Sequence, residues 1–413
     1  MRKIYIVLLA FTLLGIAGCS RKEAEAFVEE DIPVYTPPVY NKPAVGMERA
    51  GLPTESAFDM PGYPDRPLSL AELEQQGLTL SRLTGLPIPM EDANRRPVAA
   101  VINNHNSALP QSGISQADII HEVLAEGEIT RLVAIFQSFG AEKIGPVRSA
   151  REYFADIATD YDAIFVHHGG SPSGYTRLRN LGINRLDGLT LEGTYFWRDR
   201  TYPDWDAERA GRTRSMEHSS YTSAALIKTA SGTMGFRETL YEDAYLGFIF
   251  DTRGGGAKDA DDAEKIAAGN GSAADLAPAA DFSAREVRVP FSNSYVRTFV
   301  YDGETGLYAV YNQSGAHMDA LGRVPMQVKN ILIQSVSMRL VPGDTEGRRE
   351  VGVIGSGTGL LINGGAYREV RWEKKDQDSP TVWYDGGDGM PLLLQPGRTW
   401  ICMFQQNGEV EIN

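Results

Sequence analysis

Residues 130–170 read TRLVAIFQSFGAEKIGPVRSAREYFADIATDYDAIFVHHGG, and three features of this stretch lead to a fold. Its ends, 130–139 and 162–170, are apolar runs that stop in polar or glycine residues. Between them Tyr153, Phe154, Ile157 and Tyr161 recur at helical spacing, which predicts a helix with one buried face. Strand, helix, strand is the grammar of an α/β layer. A further apolar run, VAAVINN at 98–104, ends in Asn103 and Asn104. In open α/β sheets, ligands sit beyond the carboxyl ends of the strands. Asn103, Asn104, His167 and the Gly169-Gly170 turn therefore enter the candidate site.

The same stretch places Arg148, Ser149 and Arg151 at the head of the expected helix. A cation there costs a few tenths of a kcal/mol to about 1 kcal/mol unless an anion answers it. Asp118, Glu122, Glu126 and Arg131 lie in the same polar region, and the spacing of four puts Glu122 and Glu126 on one face. One account pairs these acids with Arg131, Arg148 and Arg151 in a buried network, which adds little net stability but fixes an arrangement. Another gives the arginines an external phosphate or carboxylate, helped by free amides at the helix start and by a second helix capped by Ser171 with Pro172 at its first position. The candidate ligand-binding residues are Arg148, Ser149, Arg151, Arg131, Asn103, Asn104, Glu122, Glu126 and His167.

Catalysis has less to stand on. Ser149 with His167 or His218, oriented by Glu122, would make a nucleophile and base, but there is no Gly-x-Ser-x-Gly elbow. Ser149 reads more simply as the helix N-cap or an early hydroxyl. No metal or cofactor is expected: the His167-His168 neighbours point to opposite faces of a strand, and no cysteine pair at ligand spacing or His-x-x-x-His completes a ligand set.

The chain begins with the basic Met1-Arg2-Lys3, an apolar run over 4–14 and Ile16-Ala17-Gly18-Cys19, the pattern of a lipoprotein signal. The run is too short to span a bilayer. Residues 1–19 are thus read as a signal peptide whose Cys19 becomes acylated, palmitate included, and holds the protein on the extracytoplasmic face of the cell membrane. Residues 20–75 carry eight prolines with neither strand nor helix period, which predicts an extended tether. Residues 253–281 are rich in Gly, Ala and Asp and read as a disordered joint. With Cys402 as the one other cysteine, stability must come from a core, not a disulfide. The net charge of −14 argues against nucleic acid and anionic membrane surfaces as partners.

Beyond 282 the pattern turns all-β. Residues 295–301 and 307–311 flank Asp-Gly-Glu-Thr-Gly as a hairpin. Further strand-like runs follow at 331–341, 359–372 and 381–385. Gly355-Ser-Gly-Thr-Gly leads into a strand-like run, so it reads as a turn between strands and not as a phosphate loop. Trp372, Trp383 and Trp400 are expected to fill a small β core, with stacking on sugars as the alternative. The fold class is α+β: a mixed α/β domain over 76–252, then a β-rich antiparallel domain over 282–413.

The runs RPVAAVINNHNSALPQSGISQADIIHEVLAEGEITRLVAIFQSF (96–139), IGPVRSAREYF (144–154) and HHGGS (167–171) resemble the DUF3048 family of YerB-like lipoproteins. HMD (317–319), KNILIQ (329–334), GSGTG (355–359), RW (371–372) and QPGRTW (395–400) are similar to its second domain. The resemblance implies a bacterial envelope lipoprotein with an α+β domain and a β-rich one, and implies no activity. The stretch 253–281 departs from it in being longer and richer in Ala and Gly. The expected role is a non-enzymatic binding or docking module whose Arg/Glu/Asn pocket takes an anionic cell-wall precursor, a glycopolymer or an acidic group of an envelope protein. An envelope hydrolase or transferase using the same pocket is the alternative, as is a pure scaffold in which the Arg/Glu network is structural.

Overall fold

The computed structural model describes residues 69–241, 244–251, 283–387 and 389–413. The signal with Cys19, the tether up to residue 68 and the joint over 253–281 lie outside the described residues. The tether reading to residue 75 overran: Leu70–Gln75 is helix α1. A capping box starts it, with the Glu72 N–H donating to Ser69 Oγ and the Ser69 N–H donating to the Glu72 carboxylate, so two free helix amides are satisfied reciprocally.

The N-terminal domain carries β1 (Val98–Asn103), β2 (Ile119–Leu124), β3 (Thr130–Phe136), α2 (Glu152–Thr159), β4 (Ile164–His167), α3 (Pro172–Leu181), β5 (Arg185–Asp187) and α4 (Ala224–Thr233). Strands β1 to β4 are buried at every position, which explains the near-continuous apolar runs of β1, β3 and β4. Strand β2, IIHEVL, is not legible as a strand from its pattern, because His121 and Glu122 interrupt it. Ser171 caps α3 by accepting from the Gly174 N–H, with Pro172 in the first turn, as the sequence indicates.

The C-terminal domain adds β6 (Glu286–Ser292), β7 (Tyr295–Asp302), β8 (Leu307–Asn312), β9 (Gly315–Ala316), β10 (Gln327–Val328), β11 (Asn330–Val336), β12 (Gly355–Asn363), β13 (Ala366–Lys374), β14 (Val382–Asp385), β15 (Thr399–Gln405) and β16 (Glu411–Ile412). The chain is strand-rich with few helices. The expected hairpin is β7–β8, with Thr298 opposite Tyr311 and Asp302 opposite Leu307.

The C-terminal strands do not all form a separate antiparallel sheet. Five of them complete the N-terminal sheet in the order β14-β13-β12-β11-β15-β2-β3-β1-β4-β5. Strand β15 lies parallel to both β11 and β2, with Trp400 beside Ile120 and Cys402 beside Glu122. The physical reason is two-sided burial: β11 is buried at all seven positions and β15 at all but its last, so these runs need cover on both faces. Helices α2 and α3 supply it on one face, where Phe154, Ile157 and Leu178 pack with Val101, Val133 and Phe165. The second sheet, β9-β8-β7-β6-β16 with β10 beside β8, supplies the other, packing Val289, Phe299 and Val310 against Ile102, Leu132 and Ile333.

Gly355–Asn363 is continuous strand, so the glycine-rich motif is not a turn. A Cβ at Gly359 would lie 2.1 Å from the Ile333 carbonyl oxygen; only glycine lets β12 approach β11 this closely. Trp372, Trp383 and Trp400 are buried in the two cores.

Candidate functional site

Strands β1, β2, β4 and β5 point the same way and β3 runs opposite. One edge of the sheet thus gathers Asn103, Leu124, His167 and Asp187 at carboxyl ends and Thr130 at an amino end. The segments 148–151 and 168–170 run across this edge side by side: the Ala150 N–H donates to the Gly169 carbonyl and the His168 N–H to the Arg148 carbonyl.

The arginines divide here. Arg151 occupies the N-cap position of α2, so Ser149 is not the cap. Arg131 and Arg151 both bind Glu126, Arg151 through Nη2–Oε1 at 2.7 Å and Nε–Oε2 at 3.1 Å. Their spare donors go to backbone: Arg131 Nη1 to the Ser149 carbonyl at 3.2 Å and Arg151 Nη1 to the Ala150 carbonyl at 2.6 Å. Burial pushes the Glu126 carboxyl upward, but the two guanidinium groups outweigh it and hold it below the ordinary value. Burial pulls Arg131 down to about 10.

Glu122 is not their partner. β2 ends at Leu124 and the chain turns, so Glu126 stays at the sheet edge while Glu122 points between the two sheets. There it meets Arg297 of β7, Nε–Oε2 at 2.8 Å and Nη2–Oε1 at 3.0 Å. Trp400 Nε1, Thr130 Oγ1 and Asn104 Nδ2 also donate to it, at 3.1, 2.8 and 3.3 Å. Arg297 Nη1 donates to His317 Nδ1 at 2.7 Å, leaving the His317 Nε2–H to donate to Gln111 Oε1 at 2.9 Å. Gln111 Nε2 in turn donates to Asn104 Oδ1 at 3.0 Å. Burial, then Arg297, holds His317 neutral, well below its ordinary pKa. This network is sealed from solvent and joins the two domains, so Glu122 and Asn104 are internal ties.

Asn103 and His167 are internal as well. Asn103 Nδ2 donates to His218 Nδ1 at 2.8 Å and its Oδ1 accepts the His105 N–H at 3.0 Å. The His167 Nδ1–H donates to the Gly169 carbonyl at 2.8 Å, and the ring is fully buried. Neither His167 nor His218 hydrogen-bonds Ser149, so the nucleophile–base pair has no contact among the described residues.

What faces solvent is smaller. Arg148 donates through Nη1 to the Glu217 carbonyl at 2.7 Å and through Nη2 to the Glu217 carboxylate at 3.1 Å. His105 and His218 stack beside it, 4.6 Å between centroids. Burial takes His218 down to about 4 and lowers His105. Because Nδ1 of each ring accepts, from Asn103 and from the Ser107 N–H, Nε2 carries the proton on both. On the other flank Arg198 donates to His168 Nε2 at 2.7 Å while binding Glu192.

The chain matches the family model described as "Protein of unknown function (DUF3048) N-terminal domain" over residues 83–237 and that of the DUF3048 C-terminal domain over 287–401. It is 35% identical over 323 residues to a Bacillus subtilis (strain 168) protein described as "Putative lipoprotein YerB", covering 77% of this chain and 84% of that one. The chain belongs to the DUF3048 family. The crystal structure of the YerB protein from Bacillus subtilis superposes with a TM-score of 0.62 at 32% identity, over 79% of this chain and 96% of that one. The family boundaries leave the shared sheet intact only as a joint product, since β15 reaches β2 from the C-terminal domain. Arg297, His317, Gln111 and Trp400 were not singled out as site residues because no local spacing links partners more than 170 residues apart, as Glu122 and Arg297 are. Among the described residues no helix is long and apolar enough to cross a membrane.

Proposed function

We propose that this DUF3048 protein is a lipid-anchored envelope lipoprotein whose N-terminal α/β domain binds a small anionic group at Arg148, while the β-rich C-terminal domain holds the strands of that site in register. The name of the Bacillus relative and the Cys19 motif support the anchor. One observation carries the site: the only acid facing Arg148 among the described residues is Glu217, whose side chain is 58% exposed. A solvent-exposed ion pair contributes only about 0–1 kcal/mol, so an incoming phosphate or carboxylate can displace Glu217. It would find the Arg148 fork and, beside it, the half-buried His105 stacked on His218. Arg131 and Arg151, both buried and sharing Glu126, brace the loop and do not bind. The ligand class is the phosphate or carboxylate of a cell-wall precursor or glycopolymer.

The test is thermal melting of the full-length protein in detergent with glycerol 3-phosphate, inorganic phosphate and a peptidoglycan stem peptide. At least one should raise the melting temperature of the wild type and not that of Arg148→Ala, with equal ligand-free melting. Glu217→Gln, which frees Arg148, should bind several-fold tighter, in keeping with a surface pair worth under about 1 kcal/mol. Weaker binding by Glu217→Gln, or no response to any of the three, refutes the reading.

A further inference from the structure

We propose that a small cavity beside the β12–β13 turn binds one neutral sugar residue through its hydroxyl groups. The cavity shares no residue with the Arg148 site, and three observations carry the reading.

The first is how the cavity is built. β12 and β13 meet at Gly364-Gly365, with Asn363 opposite Ala366, and the parallel pair Ile249–Phe250 and Leu393–Leu394 lies alongside. The cavity opens between these segments, lined by Asn363, Tyr367, Arg368, Leu393, Gln395 and Asp251 among others. Its polar wall is fixed from behind by Asn330 of β11, which is fully buried. Asn330 Nδ2 donates to the Gln395 carbonyl at 2.8 Å, and its Oδ1 accepts from the Gln395 N–H and from Asn363 Nδ2, each at 3.2 Å. The volume is about 190 Å³, that of about six waters at ~30 Å³ each. One pyranose ring fits such a space and two do not.

The second is the set of open hydrogen-bonding groups. The side-chain amide of Gln395 bonds to no described residue, because only its backbone meets Asn330. Asn363 uses Nδ2 on Asn330 and leaves Oδ1 without a donor among the described residues. Arg368 spends Nη2 on the Leu393 carbonyl at 3.3 Å and leaves Nη1 open. The wall thus offers two kinds of donor, Gln395 Nε2 and Arg368 Nη1, and two acceptors, Gln395 Oε1 and Asn363 Oδ1. A hydroxyl donates and accepts at once, so neighbouring hydroxyls of a sugar meet both kinds. A carboxylate or phosphate brings acceptors alone and an ammonium donors alone, and either leaves half of the wall unmet.

The third is charge. Arg368 and Asp251 are the ionic residues of the lining, and their charges cancel. Asp385, outside the lining, also faces Arg368, Nε–Oδ2 at 3.3 Å, so no cation is left over to select an anion, while Arg368 itself repels an ammonium. A neutral ligand is what remains. The half-buried Tyr367 and Leu393 give its C–H groups apolar surface, in the usual make-up of a small-molecule site.

The experiment uses the full-length protein in a detergent without a sugar headgroup and titrates the methyl pyranosides of glucose, galactose and mannose, read by saturation-transfer NMR. One of the three should bind, several-fold more tightly than at least one epimer, and its uronate and amino-sugar forms should bind more weakly. Gln395→Met and Gln395→Ala should each weaken binding roughly two- to tenfold for every hydrogen bond lost. Both should melt as the wild type does, since the side chain has no partner to lose. A disaccharide ending in the preferred sugar should bind as well as the monosaccharide if the source is the end of a glycan, and not at all if it is a free sugar; either result keeps the chemistry and separates the sources. No binding by any of the three, equal binding by all three, tighter binding of the uronate or the amino sugar, or full binding by both Gln395 variants overturns the proposal.

Discussion

Replacing Arg297 by methionine removes the one cation that faces Glu122 among the described residues while keeping most of the volume. Both residues are sealed in, at 2% and 1% exposure. The variant leaves Glu122 with three neutral donors, Trp400, Thr130 and Asn104, and frees His317 Nδ1 from its partner. An unpaired buried carboxylate escapes by taking a proton. For an ordinary glutamate, at 1.36 kcal/mol per unit from about 4.3 up to pH 7, that costs about 3.7 kcal/mol. The figure falls inside the ~3–5 kcal/mol typical of breaking a buried ion pair, so Arg297→Met should lose about 4 kcal/mol in urea unfolding of the full-length protein at pH 7. Because acid supplies the proton, the deficit should shrink by about 1.4 kcal/mol for each unit between pH 7 and 5. Glu122→Gln in the same chain keeps an acceptor for Trp400 and Thr130 without the charge, and should restore most of the loss. A deficit below about 1 kcal/mol, or one that ignores pH, would refute the view that the charge pair itself holds the two sheets together.

Two further outcomes follow from the site. Arg151→Ala should cost only about 1–2 kcal/mol in the same assay, because Glu126 is 23% exposed and keeps Arg131; a loss above about 4 kcal/mol would mean that Glu126 depends on Arg151 alone. Burial holds His317 well below its ordinary pKa and His121 at about 3, so between about pH 6.5 and 4 the unfolded chain takes up protons that the folded chain refuses. Stability should fall as pH drops through that window by about 1.4 kcal/mol per unit for each such histidine. His317→Gln should flatten the slope by one proton's worth, and an unchanged slope would contradict the neutral assignment.

Much of the site's location was legible and little of its wiring was. Asn103, His167, Arg148 and Ser149 do lie at the carboxyl edge of parallel strands, because apolar runs that end in polar residues report strand ends directly. Which acid answers which arginine was not legible. Spacing of four made Glu122 and Glu126 look equivalent, yet one turn of chain after Leu124 sends the first between the sheets to Arg297 and leaves the second at the edge with Arg131 and Arg151. His105, stacked on His218 beside Arg148, carried no signal, since a lone histidine before a short turn looks like any other.

The sequence by itself determined what short windows encode: the Ser171-Pro172 helix start, the hairpin over 295–311, the apolar runs of β1, β3 and β4, and the family. Caps, turns and hydrophobic period act between residues a few places apart, where chain connectivity already holds the partners together. Tertiary structure alone decided that β15 slides in beside β2, whose paired Ile119 lies 280 residues before Thr399, and that Glu122 belongs to Arg297. Those choices rest on which strand register buries apolar atoms on both faces while pairing the buried Glu122 with Arg297, a condition that exists only once both domains are in place.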